Sequence, residues 1–217
     1  MKKVLIFGGL GNASVIANAM IDANMRGYTA YEFDGYINDR DDCDEIEGYK
    51  VRGGLKDVKK FIKEGYYFIN TIYKIDGQKE RIELFDSLLI PEERLATFVH
   101  PTAYVAPNVE LAPGCVIMPN VSVSPGTKFG KCCRVMVGAT IGHNNIIGSH
   151  TFIAAGSCVG AYLKIGEGVH ISLNATIREF LTIGNYSTLA MGSVLLKDVG
   201  EFEVWAGNPA KFLRKAL

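Results

Sequence analysis

Neither sign of charge is in excess: Lys plus Arg and Asp plus Glu both number 23 in the 217 residues, so the formal net charge is zero. Without a basic surplus there is no support for a nucleic-acid partner or for insertion into or adhesion to a membrane. No apolar run approaches the roughly 20 residues that a bilayer-spanning helix requires. The opening Met1-Lys2-Lys3 is followed by an apolar stretch at 4–7 that breaks at once into Gly8 and Gly9, too short for a secretory leader. It reads as a buried strand, and the expectation is a soluble cytoplasmic protein. Disulfides are equally unsupported. The five cysteines (Cys43, Cys115, Cys132, Cys133, Cys158) are odd in number and contain no CxxC pair, so they read as small buried hydrophobes in a reducing compartment. There are only four histidines, His100, His143, His150 and His170, at spacings of 43, 7 and 20, which form no zinc-ligand pattern. No metal is expected.

What is abundant is repetition. From residue 99 onward an aliphatic or aromatic residue falls at every sixth position, 17 times in one register, from Val99, Val105 and Leu111 through Ile141, Ile147 and Ile153 to Leu189 and Leu195. Period six fits neither an amphipathic helix nor a simple alternating strand. Two residues before each aliphatic a small residue is common, as at Ala103, Cys115, Cys133, Ala139 and Ser157, and Gly often follows it, as at Gly130, Gly142, Gly148, Gly160, Gly166 and Gly184. The pattern describes a three-sided coil of eighteen residues, each hexad giving one short strand and one corner. The aliphatic fills the prism and Gly relaxes the turn.

Residues 1–90 have another texture. A strand at 4–7 leads through the glycine-rich turn Gly8-Gly9-Leu10-Gly11-Asn12-Ala13 into a helix at 14–26. A second strand is expected at 29–33 or at 36–37 and a third at 67–72, with helices at 55–64 and 78–88. This β-turn-α-β order predicts a small α/β (Rossmann-like) domain with a ligand at the strand C-termini. A dinucleotide fingerprint would put Gly at the positions held by Gly8, Leu10 and Ala13, so that motif fails. The turn can still offer backbone N–H groups to a phosphate.

The hexads resemble the hexapeptide-repeat acyltransferases. With the 8–13 turn, Tyr36-Ile37-Asn38-Asp39, Phe98-Val99-His100-Pro101, Ile141-Gly142-His143 and Ala206-Gly207-Asn208-Pro209-Ala210-Lys211, the whole chain is similar to the sugar O-/N-acyltransferase family, which modifies sialic acid or nucleotide-linked amino sugars. The resemblance implies a left-handed parallel β-helix at 91–217 with a short C-terminal helix, after the α/β domain at 1–90. It further implies a homotrimer with active sites between subunits, acetyl-CoA as co-substrate, and a place in bacterial polysaccharide biosynthesis.

The same resemblance assigns the site. Gly8, Gly9, Leu10, Gly11, Asn12, Asn38 and Asp39 would hold the nucleotide sugar. Ala161, Leu173, Asn174, Met191, Gly192 and Lys211 would hold acetyl-CoA, with Arg214 also near its phosphates. His143, two residues past the inward Ile141, would face a subunit groove and act as general base, with Asn144 bonding its ring where relatives often carry a carboxylate. Relatives also differ at Asn12, where a His is usual, at Tyr73, where a Gly is common, and at Phe152, where some have a second His. His100 reads as structural, and His150 and His170 as surface or interface residues. Cys115 and Cys133 sit at inward positions where a thiol is inert, so direct transfer is expected rather than a cysteine acyl-enzyme. The favoured activity is acetylation of the amino group of a nucleotide-linked amino sugar. The alternatives are sugar O-acetylation and a non-catalytic ligand-binding scaffold; about 90 residues are too few for a nucleotidyltransferase domain ahead of the repeats.

Overall fold

The computed structural model describes residues 1–40 and 44–216. Cys43, expected to be buried, lies outside the described residues.

The N-terminal part is a five-stranded sheet built on β1 (Lys2–Phe7), whose residues 4–7 are wholly buried. Helix α1 (Asn12–Met25) returns the chain to β2 (Tyr31–Ile37), a hairpin of β3 (Glu45–Ile46) and β4 (Tyr49–Gly53) follows, and α2 (Val58–Lys63), β5 (Tyr67–Ile69) and α3 (Gln78–Asp86) complete the layer. The order is β3-β4-β2-β1-β5, with β4, β2, β1 and β5 parallel and only β3 antiparallel. The β3–β4 hairpin has no counterpart in the expected elements. Because β1 is central, the turn leaving it and the ends of β2 and β5 open on one side of the sheet, where open α/β sheets receive ligands.

The hexads form the expected left-handed parallel β-helix. Each contributes a two-residue strand ending on the periodic aliphatic, and each strand pairs with the one eighteen residues away, as Thr140 and Ile141 do with Cys158 and Val159. Ile117, Ile153, Ile171 and Leu195 are fully enclosed. Burying an aliphatic side chain contributes about 1.5–3 kcal/mol, so this one repeated choice supplies the prism's core.

The three faces differ in what points outward. Phe98, Val116, Arg134, Phe152, His170 and Thr188 form the covered face; all six are buried. The N-terminal part lies on it, with Gln78 Nε2 donating to Thr188 Oγ1 at 2.9 Å and Tyr73 stacked on Phe152 at 5.3 Å. Glu110, Lys128, Ile146, Lys164 and Thr182 make a charged face. Tyr104, Ser122, Thr140, Cys158, Thr176 and Val194 make an uncharged one.

Three expectations are corrected. The C-terminus is not a helix: strands Glu203–Gly207 and Ala210–Lys215 form an antiparallel hairpin, and the first pairs in parallel with Thr188–Leu189. A solenoid end is an open row of backbone donors and acceptors, and a strand satisfies it where a helix would not. Cys158 is exposed, because it precedes the inward Val159 and so points outward; Cys115, Cys132 and Cys133 are buried. The glycines after the aliphatics do not relax the turn. A Cβ on Gly142 would lie 2.5 Å from Gly160 O, and on Gly148 2.4 Å from Gly166 C, so these glycines permit coil-to-coil approach. The positive φ angles belong to other corner residues, among them Asn120, Asn144, Asn174 and Gly192.

Candidate functional site

Gly8 and Gly11 take φ of 118° and 102°, which only glycine adopts readily, and Gly8 N donates to Ile37 O at 2.9 Å. Gly9 is close-packed, since a Cβ would lie 2.9 Å from Asn38 Nδ2. No side chain caps α1 at Gly11, and within the turn Ser14 N donates to Gly9 O at 3.3 Å. Asn38 Nδ2 reaches back to Gly8 O at 3.2 Å, and Asp39 Oδ1 accepts from Leu55 N at 2.7 Å, so both brace the loops that frame this end of the sheet. Gly9, Leu10 and Asn38 share a cavity of about 360 Å³ with Arg40 and Glu47. Asn38 and Asp39 border a second of about 500 Å³.

A third cavity, of about 410 Å³, lies at the seam between the N-terminal part and the covered face. Asn12 and Val15 from α1, Tyr73 and Ile75 from the loop after β5, and Phe152, His170, Leu173 and Met191 from the solenoid all line it. It therefore brings Asn12, from the predicted sugar positions, together with Leu173 and Met191, from the predicted acetyl-CoA positions. Val137, Ala155, Leu173 and Met191 stand at one corner in successive coils and form the edge between the covered and uncharged faces.

His143 is not in this cavity. It is exposed on the opposite edge of the uncharged face, where Asn144 beside it is followed coil by coil by Tyr162 and Phe180. Its Nδ1 lies 2.9 Å from Asn144 Oδ1, its ring meets Tyr162 edge-on at 5.0 Å, and Tyr162 stacks on Phe180 at 5.0 Å. Ala161 shares this edge with His143, whose carbonyl accepts from Tyr162 N at 3.0 Å. Asn174 and Gly192 are exposed beside Leu173 and Met191, and Lys211 is exposed on the C-terminal hairpin. Arg214 is paired with Asp76. One chain thus carries the predicted base on one edge and Leu173 and Met191 on the other.

Asn145 belongs to none of the motifs singled out, yet it holds the His143 corner. Wholly buried, it donates from Nδ2 to Gly142 O at 2.8 Å and Gly160 O at 2.9 Å, while its Oδ1 accepts from Leu163 N at 2.8 Å. The signal was present: it is an amide in the inward series two residues before each aliphatic, and an inward amide must be hydrogen-bonded.

The other histidines are buried. His100 ties α1 to the solenoid, Nε2 lying 3.0 Å from Asp22 Oδ2 and Nδ1 2.9 Å from Thr102 Oγ1, as a structural residue should. His150 and His170, expected at the surface or an interface, are buried, because the N-terminal part covers them. Burial pushes each down to about 4, for His150 against the pull of Asp86. Both rings are therefore neutral in the folded protein near pH 7. In the unfolded chain they take up protons near pH 6.5. Between pH 6.5 and 4 the unfolded state binds more protons, so stability falls with falling pH by on the order of 2–3 kcal/mol per ring. Urea unfolding at pH 7 and pH 4.5 should show this loss, and a His150→Phe, His170→Phe double variant should show a flatter profile; equal slopes would refute it.

Arg134 is 3% exposed, with Nε and Nη1 lacking hydrogen-bond partners among the described residues and its guanidinium 5.1 Å from the Phe152 ring and 5.5 Å from Tyr73. Burial lowers it to about 10, still cationic at neutral pH. The thiols of Cys132 and Cys133 are pushed up by burial, Cys132 to about 12, which leaves them unsuited to nucleophilic attack. Among the described residues no cluster of His, Cys, Asp or Glu could hold a metal, and no helix is long and apolar enough to cross a membrane.

Comparison with known proteins extends the picture. A family model described as the GMPPB C-terminal domain matches residues 99–199. No curated protein matches. Among solved structures, a variant of perosamine N-acetyltransferase from Caulobacter crescentus, in complex with CoA and GDP-perosamine, is 21% identical with a TM-score of 0.84, the alignment covering 99% of this chain and 98% of that one. The acetyltransferase domain of PglB from Neisseria gonorrhoeae, in complex with acetyl coenzyme A, is 24% identical with a TM-score of 0.83 over 98% and 99%. WeeI from Acinetobacter baumannii is 18% identical with a TM-score of 0.69 over 98% and 100%. From its first strand to its last, the chain shares the fold of these structures.

Proposed function

We propose that the protein is an acetyl-CoA-dependent acetyltransferase acting on the amino group of a nucleotide-linked amino sugar. The observation that carries this reading is the seam cavity, which unites Asn12 at the start of α1 with Leu173 and Met191 on the solenoid edge. The similar structures holding CoA with GDP-perosamine, or acetyl coenzyme A, support the same pairing of ligands. In this reading residues 1–90 take the nucleotide sugar and residues 91–217 the acetyl donor. The uncapped α1 N-terminus and the 8–13 turn receive phosphate. Asn38 and Asp39 shape the rim, while Ala161, Asn174, Gly192 and Lys211 line the path of the donor.

The site is completed by a second copy in a homotrimer. The uncharged face is flanked by two exposed apolar edges, one with Leu173 and Met191 and one with Tyr162 and Phe180. A cyclic trimer sets one edge of each copy against the other edge of the next. That arrangement brings His143 of one subunit toward the cavity of its neighbour. His143 then takes the proton of the attacking amine, and Asn144 orients its ring. The free cysteines suit a reducing, cytoplasmic setting, and the product suits polysaccharide assembly.

The test is to incubate the protein with acetyl-CoA and a panel of nucleotide-linked amino sugars plus free sialic acid, following CoA release and identifying the acetylated atom by mass spectrometry. N-acetylation of a nucleotide amino sugar is the expected result. Acetylation of sialic acid would move the reaction to oxygen. Acetyl-CoA that fails to bind would overturn the assignment.

A further inference from the structure

Most of the seam cavity's wall is apolar, formed by residues such as Val15, Ile75, Ala154, Leu173 and Met191. Besides the unpartnered Tyr73 hydroxyl, His170 is a polar side chain on that wall that its surroundings do not account for. It is 5% exposed, its Nδ1 has no hydrogen-bond partner, and among the described residues no side-chain hydrogen bond occupies Nε2. The ring is nonetheless held. Tyr73 lies 5.1 Å from it and Phe152 5.2 Å, centroid to centroid, and the backbone is fixed by pairing with Phe152 on one side and Thr188 on the other. Nδ1 is sealed from the cavity, so Nε2, which is not sealed and holds no side-chain hydrogen bond among the described residues, is the nitrogen that a ligand in the cavity can reach.

Two features specify the ligand atom. The ring is neutral, so one nitrogen carries a proton; an orphaned buried donor is rarer than an orphaned acceptor, which puts the proton on Nε2 and a lone pair on Nδ1. A neutral donor in a mostly apolar pocket, whose other polar side chains are Asn12, Tyr73 and Ser172, suits a carbonyl oxygen rather than a phosphate or a carboxylate. Leu173, three residues further on, and Met191, one coil beyond it, are the acetyl-donor positions of the proposed function. Resting on that reading, we infer that His170 donates a hydrogen bond to the carbonyl oxygen of the acyl thioester.

The step balances as follows. The acceptor amine attacks the thioester carbon, forming a C–N bond while the carbonyl electron pair moves onto oxygen, where the His170 N–H meets the developing charge. Collapse of the tetrahedral adduct re-forms C=O and breaks the C–S bond. The proton taken from the amine by His143 passes to the departing CoA thiolate. His170 keeps its proton throughout, and its burial favours that, because a ring that ionised readily would not stay a fixed neutral donor.

The test uses His170→Phe and His170→Gln in the full-length protein, with three readouts: kcat and KM, the carbonyl stretch of bound ¹³C-acetyl-CoA, and ¹⁵N-histidine NMR of the unaltered protein. His170→Phe should lower kcat by about 10²–10³ with acceptor KM little changed and move the carbonyl band to higher frequency. His170→Gln, which keeps a donor, should recover about tenfold or more of the loss. In the unaltered protein the His170 resonances should shift when acetyl-CoA binds, a readout independent of how the variants fold. Binding without that shift, or a phenylalanine variant with near-normal kcat and an unmoved band, would overturn the assignment of His170 while leaving the acetyltransferase reading intact. Acetyl-CoA that does not bind at all would overturn both.

Discussion

A His143→Ala protein should fold, bind acetyl-CoA as the parent does, and lose acetyl transfer by a factor of about 10²–10⁴. Stability should barely change, because the ring is exposed and its contacts are Asn144 beside it and the Tyr162 edge. The measurement is kcat with a responsive acceptor, beside a calorimetric titration with acetyl-CoA. A variant that binds the donor yet turns over within about threefold of the parent would remove His143 from the chemistry. A mixing experiment adds a stricter check. If the base is supplied across a subunit boundary, trimers reassembled from His143→Ala chains and chains blocked at the cavity should regain part of the activity. Neither parent variant alone should show it.

Asn145→Ala should be the most damaging single change near that corner, costing about 3 kcal/mol. Its amide satisfies three backbone groups in two coils, and alanine leaves the Leu163 N–H and the Gly160 carbonyl without it; Gly142 O retains the Thr127 hydroxyl at 2.9 Å. Tm should fall by roughly 6–12 °C at the usual conversion for a chain of this length. Activity should fall too, since the corner presenting His143 loses its clamp. An unchanged Tm would mean that water replaces the amide without cost. Asn145→Asp makes a useful second comparison: it keeps the acceptor for Leu163 N but cannot donate to the two carbonyls, and should be at least as destabilising.

Much of this was legible in the chain itself. An aliphatic at every sixth residue can be buried in only one way, so Val99 to Leu195 report the prism directly. The two-residue strands, the faces and the outward placement of His143 follow from the count. The N-terminal sheet was readable for a similar reason, since residues 4–7 are apolar at every position, as a strand covered on both sides must be. What the count could not reveal was set by neighbours eighteen residues away. Gly142 and Gly148 looked like turn residues because they stand near corners; only the approach of the next coil makes them spacers. His150 and His170 looked like surface because their outward direction was clear and the layer that covers them was not. The C-terminal helix was expected from the resemblance and not from any pattern in the residues, whereas the open edge at Thr188–Leu189 recruits the segment as a strand. The site was legible only in halves, because its two sets of residues lie on different edges of one chain.

Strict stacking at eighteen residues makes the solenoid a rotary counter. Insert or delete eighteen residues and everything downstream keeps its bearing; insert or delete six and it swings by a third of a turn. Six residues removed between 105 and 137 would swing His143 together with Phe152, His170, Leu173 and Met191 by a third of a turn, carrying that wall of the cavity away from Asn12, Val15 and Tyr73. His143, the proposed base, and the cavity-lining Leu173 and Met191 are kept apart by a phase, and any length change between them other than a whole turn breaks it. Gains and losses of sequence are therefore confined to whole coils or to excursions at the corners. The spacing between His143 and the cavity is among the least negotiable quantities in the molecule, although no side-chain contact enforces it.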